Sequence, residues 1–394
     1  MNFTQKLPQH SSTLSLLQNN PKSRTWVEIN KAAVLHNVNQ FKSIIGQDKH
    51  LAVVAKSNAY GCGLIQIAQI LKDCESVSWL CVFSLSEGLI ARENGFTKPI
   101  LVLGHADLDY EYAVMFQIDL VAYDFNDISK LNEVAKKLKQ IAYIHIKVDT
   151  GLSRLGVLWH QALDLICAVA NLSNIKINGI FSHFAESDTN DQTFTKRQLS
   201  RFSDLITQLK KEGIEIPLKH CSNTTGIIRF NGCHFNMVRS GGGTYGLYKS
   251  PQIDDLGEKK YLINLKLAVS WKTKIIQIKE LPVGSYVSYS RTFVAFRPTI
   301  TAIVPIGYWD GYSRGLSNKG FVYIRGQKAP VIGRVCMNMV IIDISDIPAA
   351  CVGDEAILVG SQPGITPDDI AQLSGTINYE VTTKINPTIE RIIT

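Results

Sequence analysis

Short runs of β-branched and aliphatic residues alternate with longer stretches of helical period between Thr25 and about residue 250. This alternation is typical of parallel strands joined by crossover helices, and its length suits a (β/α)8 barrel. The runs, in chain order, are Trp26–Ile29, Leu51–Ala55, Leu80–Phe83, Ile100–Leu103, Leu120–Ala122, Tyr143–Val148, Ile177–Phe181, Pro217–His220 and Phe235–Val238. Because this is one run more than eight strands, we expect the first to pair outside the barrel.

Three of the stretches between these runs carry helix start or stop signals. Asn30 is expected to cap a helix over residues 31–45. Ser86 is expected to cap a helix over residues 87–94 that Gly95 ends. A longer helix is expected over residues 193–211, closed by Gly213.

The sequence changes in character after about Leu256, where helical spacing gives way to Val, Ile and Thr alternating with polar residues between Gly and Pro. This pattern predicts a β-rich second domain. The chain is therefore predicted to contain a flexible extension over residues 1–23, an α/β barrel over residues 24–255 and a β-domain over residues 256–394.

The composition excludes several classes of function. Lys and Arg exceed Asp and Glu by 7, and this surplus is spread thinly rather than gathered into a stripe that would bind nucleic acid. We expect no membrane span, because no apolar run approaches about 18 residues, and no secretory signal, because the amino-terminal segment is polar. The eight cysteines show neither CxxC nor zinc-ligand spacing, which predicts reduced thiols, no metal site and a cytoplasmic location.

In a (β/α)8 barrel the functional groups lie at the carboxyl ends of the strands. The residues that follow the runs at this end include Lys56, Arg154, His183, Thr224 and Arg239. Lys56 closes an apolar run, where loss of water can lower the pKa of an amine and make it a nucleophile. A lysine whose end reaches solvent explains the same position equally well.

Gly241, Gly242 and Gly243 follow the last run of the barrel. Backbone N–H groups without a neighbouring Cβ can approach an anion closely, and together with Thr224 they could cradle a phosphate. A simple glycine loop is the alternative. A nucleophilic lysine and a phosphate cradle in one barrel mouth suggest pyridoxal phosphate as the cofactor.

Eight segments, in the same order along the chain, resemble sequence blocks of the alanine racemases. The segment AVVAKSNAYGCGL is similar to the cofactor-lysine signature of that family, and the others are KVDTGLSRLGV, FSHFAESD, SNTTG, RSGGGTYGLY, SYSRTF, GYWDGYSRGLSN and GRVCMNM. The similarity runs from about residue 25 to the carboxyl terminus. It implies an amino-terminal (β/α)8 barrel, a carboxyl-terminal β-domain that also takes the strand at residues 25–30, and a head-to-tail homodimer with shared active sites.

The resemblance implies a catalytic role for two residues. Lys56 would hold pyridoxal phosphate covalently and then act as one base, while Tyr289 of the partner subunit would act as the other. Two bases are needed because racemisation removes the α-proton from one face of a planar carbon and returns a proton to the opposite face. His183 and Arg239 would form the network that tunes the phenol.

Further binding residues follow from the same resemblance. Arg239 would face the pyridine nitrogen, and because a guanidinium can only donate, that nitrogen would stay largely unprotonated. Arg154 would contact the phenolic oxygen of the cofactor and the substrate carboxylate, with Met337 of the partner subunit nearby. The remaining cofactor-binding residues would be Tyr60, His183, Asn223, Thr224, Gly241, Gly242 and Tyr379.

Lys147 matches a position that is carbamylated in some members of the family. A carbamate there would turn a cation into an anion able to orient Arg154, and an unmodified lysine paired with Asp149 is the alternative. The entry channel for small amino acids would be lined by Tyr308, Arg314, Arg334 and Ile377.

Three residues depart from the family pattern: Cys62 replaces a histidine, Trp309 an alanine and Asn338 an aspartate. None removes a catalytic group, but Trp309 and Asn338 leave the substrate preference open. We predict interconversion of L- and D-alanine that supplies D-alanine for peptidoglycan, with a serine or lysine racemase as the alternative. A decarboxylase of this architecture would place a glutamate where Arg239 stands, and a cofactor carrier without turnover would not need both bases.

Overall fold

The computed structural model describes residues 24–247 and 263–394. The extension predicted over residues 1–23 and the domain boundary predicted at residues 255–256 lie outside the described residues. The chain divides into two compact units, one over Asn30–Ala268 and one over Val269–Thr394 together with the segment that ends at Ile29. Within the described part of the chain, no helix combines the length and the apolar character needed to cross a membrane.

Strand β1 (Thr25–Ile29) belongs to the second unit, and eight parallel strands form the sheet of the first. These are β2 (His50–Val54), β3 (Trp79–Ser84), β4 (Ile100–His105), β5 (Ile118–Ala122), β6 (Ala142–Asp149), β8 (Ile175–Phe181), β9 (Leu218–His220) and β10 (Met237–Ser240), with the short β7 (Val157–Leu158) attached to β6. Their order is β10-β2-β3-β4-β5-β6-β8-β9, so the sheet curls back toward its first strand. A hydrogen bond of 3.1 Å from the Arg239 N–H to the Ser222 carbonyl links β10 to the end of β9. The predicted (β/α)8 barrel is confirmed.

Helices connect these strands, as parallel pairing requires. They span Lys31–Ile45, Leu64–Leu71, Leu85–Glu93, Tyr110–Met115, Phe125–Lys137, Ala162–Ala170, Thr193–Lys211 and Thr224–Arg229. Two sequence predictions are confirmed here. Asn30 caps the first helix by accepting a hydrogen bond of 2.8 Å from the Ala33 N–H. The helix predicted over residues 193–211 has these bounds and is followed by Gly213 at φ +73°.

The cap predicted at Ser86 is wrong by two residues. The helix Leu85–Glu93 is capped by Ser84, whose hydroxyl accepts a hydrogen bond from the Glu87 N–H. Ser86 lies in the first turn and donates its hydroxyl hydrogen to Asp107 at 2.5 Å. Two serines stand close enough to the helix start to cap it, and the contact with Asp107, which is distant in sequence, occupies one of them.

Alternate strand residues fill the barrel interior with a buried apolar cluster of Ala52, Val54, Trp79, Cys81, Leu101, Leu218 and Met237. Strands that are buried on both faces read as continuous apolar runs, which is why they stand out in the sequence. Arg239 lies two residues beyond Met237 on the same face of β10. His220 lies two residues beyond Leu218 on β9. The apolar cluster therefore lies beneath a polar carboxyl end.

The second unit is the predicted β-rich domain. Its strands are β11 (Val269–Lys274), β12 (Gln277–Leu281), β13 (Tyr286–Val287), β14 (Phe293–Val294), β15 (Thr299–Val304), β16 (Phe321–Ile324), β17 (Gln327–Pro330), β18 (Val340–Asp343), β19 (Glu355–Val359) and β20 (Glu390–Ile393), with helices Pro367–Ser374 and Asn378–Thr383. One sheet has the order β17-β16-β19-β11-β1-β20, a second has the order β12-β15-β18, and β13 pairs with β14. Strand β1 runs antiparallel to β11 and parallel to β20.

Candidate active site

The predicted site residues divide between the two units. Those at the carboxyl end of the barrel are Lys56, Tyr60, Lys147, Arg154, His183, Asn223, Thr224, Arg239, Gly241 and Gly242. Those in the second unit are Tyr289, Tyr308, Arg314, Arg334, Met337, Ile377 and Tyr379. Each set is described within its own unit.

Lys56 opens a turn of unusual backbone conformation. The residues from Ser57 to Tyr60 all have φ between +52° and +57°, in the left-handed region that costs an L-residue about 1–2 kcal/mol. The Glu87 carboxylate holds the turn by accepting hydrogen bonds from the Asn58 N–H at 3.1 Å and the Phe83 N–H at 2.8 Å. Strain that surrounding contacts maintain is characteristic of functional sites.

The side chain of Lys56 is half-buried. Burial lowers the pKa of its amine, Arg154 lowers it further, and Glu87 raises it in part. A lowered pKa increases the neutral fraction of the amine, which is the form that attacks a carbonyl or takes up a proton. Partial burial and a lowered pKa are the properties expected of a desolvated amine.

Arg239 is buried, with 3% of its surface exposed. Its Nη2 donates to the Ser182 carbonyl at 2.8 Å and to His183 Nδ1 at 3.2 Å, and its Nη1 donates to His220 Nδ1 at 2.5 Å. Because a guanidinium can only donate, both Nδ1 atoms must accept and carry no proton. Burial, followed by the charge of Arg239, holds the pKa of His183 and of His220 well below the usual range.

Lys147 shares this cationic environment. It is buried, and burial, followed by the charges of Arg154, Arg239 and Lys56, lowers the pKa of its amine to about 8. The Lys147 Nζ lies 5.5 Å and the Arg239 guanidinium 5.2 Å from the centroid of the Phe181 ring, within the range of cation–π attraction. Such an excess of positive charge favours an anionic ligand.

Two glycines allow a close approach of backbone and side chains near Thr224. The Gly241 N–H donates to Thr224 Oγ1 at 3.0 Å. A Cβ at Gly241 would lie 2.6 Å from Tyr60 Oη, and a Cβ at Gly243 would lie 2.5 Å from the Phe41 ring. Glycine is therefore needed at both positions to bring these groups together.

Two more predicted residues lie on loops at this end. The side-chain oxygen of Asn223 caps the helix Thr224–Arg229, accepting a hydrogen bond of 2.9 Å from the Gly226 N–H. Arg154 is exposed and follows a loop held by Asp149, whose Oδ1 accepts hydrogen bonds from the Gly151 and Ser153 N–H groups at 2.8 and 3.1 Å. Asp149 thus orders the loop that carries Arg154.

The barrel residues fit pyridoxal phosphate. The lowered pKa of Lys56 suits covalent attachment to an aldehyde. The hydroxyls of Thr224 and Tyr60, next to backbone that a Cβ would obstruct, suit a phosphate group. The buried guanidinium of Arg239 suits a ring nitrogen that accepts a hydrogen bond.

In the second unit, Tyr289 lies at the tip of the hairpin between β13 and β14. The neighbouring residues Ser288, Ser290 and Arg291 have φ of +62°, +60° and +51°, which L-residues rarely adopt. The Ser288 hydroxyl donates to the Arg334 carbonyl at 2.7 Å and so ties down the tip. The Tyr289 side chain is 69% exposed in the single chain, so this strained hairpin presents the phenol outward.

Backbone contacts join Tyr308 and Met337. The N–H groups of Tyr308 and Trp309 donate to the carbonyls of Cys336 and Met337 at 3.1 and 3.0 Å. A Cβ at Gly307 would lie 2.2 Å from both of these carbonyl oxygens, so glycine is what lets the two loops approach.

Two of the remaining predicted residues lie at the helix Asn378–Thr383, and the two arginines lie elsewhere in the second unit. Tyr379 is in this helix and Ile377 precedes it. Arg314 is exposed, and Arg334 is half-buried, with an Nε that has no hydrogen-bond partner among the described residues. A Cβ at Gly311 would lie 2.2 Å from the Lys384 carbonyl, so this helix end packs closely against the turn that carries Tyr308.

Glu87, Phe181 and His220 are site neighbours that sequence reasoning does not identify. Phe181 and His220 carry a usable signal, because both end predicted strands at the barrel end where the site residues lie. Glu87 carries none, since its contact with the Lys56 turn joins residues 29 positions apart.

Comparisons with known proteins identify the family of the chain. The family model for the alanine racemase N-terminal domain matches residues 29–249, and the model for the C-terminal domain matches residues 268–393. An alanine racemase from Halothermothrix orenii is 40% identical over 371 residues, which cover 93% of this chain and 96% of that protein. One from Clostridium tetani is 38% identical over 372 residues, which cover 93% and 94%.

Solved structures show the same similarity. The alanine racemase of Clostridium difficile 630 has a TM-score of 0.88 at 33% identity, covering 95% of this chain and 97% of that one. The alanine racemase from Bartonella henselae, solved with covalently bound pyridoxal phosphate, has a TM-score of 0.80 at 26% identity, covering 94% and 100%. Two family models that together span most of the described residues, and relatives of this identity and coverage, place the chain in the alanine racemase family.

Proposed function

We propose that the protein interconverts L- and D-alanine with pyridoxal phosphate as its cofactor. The observation that carries the proposal is the group of residues in the barrel mouth. There the pKa of Lys56 is lowered, Arg239 is buried, and Thr224 lies beside the glycine backbone. When bound through Lys56, the cofactor would supply a conjugated ring that accepts the electron pair left behind by the departing α-proton.

Lys56 would act as the base on one face of the substrate. When its amine is not bound to the cofactor, Lys56 would take up the α-proton, because the desolvation that lowers its pKa favours the neutral form. Arg154, which is exposed at the mouth, would hold the substrate carboxylate with its planar fork. Arg239 would donate to the ring nitrogen without giving up its proton, which limits the electron demand of the ring.

Tyr289 of a second copy would act as the base on the opposite face. A single fixed base could reach both faces only by crossing the planar carbon. The β-domain displays several large apolar side chains to solvent, namely Tyr289, Phe296, Trp309, Met337 and Ile377, with exposures between 55% and 80%. Exposed apolar surface of this kind marks an interaction site, and we propose that it covers the barrel mouth of the partner in a homodimer.

Mixing two inactive variants tests both the bases and the shared site. Lys56→Ala should lose the absorbance of covalently bound cofactor and nearly all turnover, while Tyr289→Phe should keep the cofactor and lose turnover. In a mixed dimer one site combines the intact Lys56 of one copy with the intact Tyr289 of the other. Random reassortment should therefore restore about a quarter of the wild-type rate. Mixtures that stay inactive, although mixed dimers are demonstrated, would refute the shared site.

Isotope exchange assigns each base to a face. In deuterated water, Tyr289→Phe should slow α-proton exchange from one enantiomer of alanine more than from the other, because only one face loses its base. Tyr286→Phe, on the same hairpin, is the matched control and should leave both rates unchanged. Equal rates from both enantiomers in Tyr289→Phe would refute the two-base assignment.

We propose that Lys147 carries a carbamate. Its pKa of about 8 leaves an appreciable neutral fraction near neutral pH, and a neutral amine adds carbon dioxide with release of one proton. The product would place a negative charge among Lys56, Arg154 and Arg239. Labelling with 13C-bicarbonate should give a carbamate resonance that Lys147→Gln abolishes. A resonance that persists in this variant would place the carbamate elsewhere.

Trp309 and Asn338 stand where the family pattern has alanine and aspartate, and Trp309 is 66% exposed beside Tyr308. A serine or lysine racemase is therefore the second candidate. Chiral analysis of products from L-alanine, L-serine and L-lysine, measured side by side, would decide between them. Carbon dioxide release from L-lysine would indicate a decarboxylase.

We also propose that the protein works in the cytoplasm and supplies D-alanine for peptidoglycan. The described cysteines are all free, as expected of a reducing compartment. Restored growth of a D-alanine-requiring bacterium by the wild type, but not by Lys56→Ala, would support this role. Growth restored by both would refute it.

A further inference from the structure

Arg239 is a buried cation whose immediate partners are all uncharged. Its guanidinium donates to the carbonyls of Ser182, His220 and Cys221 at 2.8, 3.2 and 3.3 Å and to the Nδ1 atoms of His183 and His220. In residues 24–247 and 263–394, no Asp or Glu oxygen lies within 4.0 Å of it. A buried charge without a counter-charge is costly, so an acidic group beyond these uncharged partners would stabilise Arg239.

Two histidines connect Arg239 to an acid on the other side of the barrel interior. His220 Nε2 lies 2.9 Å from His145 Nδ1. His145 Nε2 lies 3.3 Å from Asp119 Oδ2, with its N–H off the direct line to the carboxylate, so this contact is electrostatic rather than a well-aligned hydrogen bond. His145 and His220 are fully buried and Asp119 is 5% exposed. We use the name imidazole chain for His220, His145 and the Asp119 at its end.

The donors and acceptors of the imidazole chain have one consistent direction. Arg239 donates to His220 Nδ1, so a neutral His220 carries its proton on Nε2. That proton is donated to His145 Nδ1, so a neutral His145 carries its own proton on Nε2, the atom that faces Asp119. Each ring dipole thus points its positive end toward the carboxylate and its negative end toward the guanidinium.

The barrel provides space and support for this arrangement. A Cβ at Gly179 of strand β8 would lie 2.2 Å from His145 Nδ1, so the imidazole occupies space that only glycine leaves. His220 stacks on Phe181 with centroids 4.9 Å apart and an interplanar angle of 2°. Trp79 packs edge-on against His145 at 5.3 Å. Aligned dipoles in a buried interior of low dielectric constant interact more strongly than they would in water.

We propose that Asp119 is the counter-charge of Arg239, and that His145 and His220 transmit its field and position the guanidinium. These three are positioning residues, since none of them is proposed to contact substrate or cofactor. The inference builds on the proposed function only in that Arg239 is taken to face the cofactor ring. The charge compensation itself does not depend on racemisation.

A double-mutant cycle on the full chain tests the charge compensation. Asp119→Asn and Arg239→Gln should each lower the folded-to-unfolded equilibrium constant at least tenfold, because each removes one of two opposite buried charges. The double variant should lose much less than the product of the two effects. Thr195→Val, which removes a buried hydroxyl from the helix Thr193–Lys211, is the control and should combine with Arg239→Gln multiplicatively within about twofold. If the effects of Asp119→Asn and Arg239→Gln on the equilibrium constant simply multiply in the double variant, the proposal is overturned.

A variant of the middle residue separates transmission from direct attraction. In a His145→Phe background, the coupling between positions 119 and 239 should fall below about twofold. Coupling that keeps its full size there would mean that the two charges act on each other directly, which overturns the role of the imidazoles.

The absorbance of bound pyridoxal phosphate tests the positioning. Asp119→Asn should shift the visible absorbance maximum of the holoenzyme, whereas Thr195→Val should leave it unchanged. An unmoved maximum overturns the positioning role, even if the unfolding cycle shows coupling. This measurement needs only Asp119→Asn, so it decides the question if Arg239→Gln does not fold. The two proposals can fail separately. If the unfolding cycle shows coupling between positions 119 and 239 but the wild-type protein racemises no amino acid, the proposed function is refuted and the charge compensation stands.

Discussion

Replacement of Lys147 by methionine should stabilise the protein at neutral pH. Lys147 is 5% exposed, and burial among other cations lowers the pKa of its amine from an ordinary 10.5 to about 8. At 1.36 kcal/mol per pKa unit, the 2.5 units between 10.5 and 8 correspond to an electrostatic penalty of about 3 kcal/mol for the charged form. Methionine keeps the length and approximate volume of the side chain and carries no charge.

The penalty has a defined pH dependence. Below pH 8 the amine is protonated in the folded and the unfolded chain alike, so the full penalty applies. Between pH 8 and 10.5 the unfolded chain binds the extra proton, so the stability of the wild type rises with pH relative to the variant. The advantage of Lys147→Met should therefore be about 3 kcal/mol at pH 7, about 2 kcal/mol at pH 9 and under about 1 kcal/mol at pH 10.

Urea unfolding at these three pH values measures this difference. Wild type and variant should be compared without cofactor and in buffers free of carbon dioxide, because a phosphate or a carbamate would change the local charge. Lys211→Met, at an exposed helix position, is the control and should shift stability by a small amount that does not vary with pH. A Lys147→Met advantage that is the same at pH 7 and pH 10, or a variant less stable than wild type at pH 7, would refute the reasoning.

Substitutions at three further positions have expected effects on the free energy of unfolding. Asn30→Ala should cost about 1 kcal/mol, because the first barrel helix loses its side-chain cap, and Asn30→Asp should restore most of it. Tyr245→Phe should cost about 1–3 kcal/mol, because its buried hydroxyl donates to the Val54 carbonyl at 2.9 Å and that carbonyl would lose its partner. Tyr312→Phe should instead be neutral or stabilising, because the buried Tyr312 hydroxyl has no hydrogen-bond partner among the described residues. A loss in Tyr312→Phe equal to that in Tyr245→Phe would contradict this distinction and indicate a buried water.

The strands and the first helix of the barrel can be read from the sequence because their causes are local. A buried parallel strand needs a continuous apolar run, and Asn30 caps a helix through a contact three residues away. Lys56 is identifiable as a site residue for a related reason. In a barrel of parallel strands, the residues that follow the strands share one end.

Helix capping at Ser84 rather than Ser86 shows where local information ends. Both serines are close enough to cap the helix, and the choice depends on Asp107, 21 residues beyond Ser86. The chemistry of the site is decided at still longer range. The contact between His145 and His220 spans 75 residues, and the one between Glu87 and the Lys56 turn spans 29.

The sequence by itself determined the alternation of strands and helices and the residue types at the strand ends. Only the tertiary structure decided that the pKa of Lys147 is low and that Arg239 donates to neutral imidazoles. It also decided that Asp119 lies next to His145, at the far end of the imidazole chain. The physical reason is that periodicity and capping act over a few residues. Burial and Coulomb interactions depend instead on distances that exist only once the sheet has curled into a barrel.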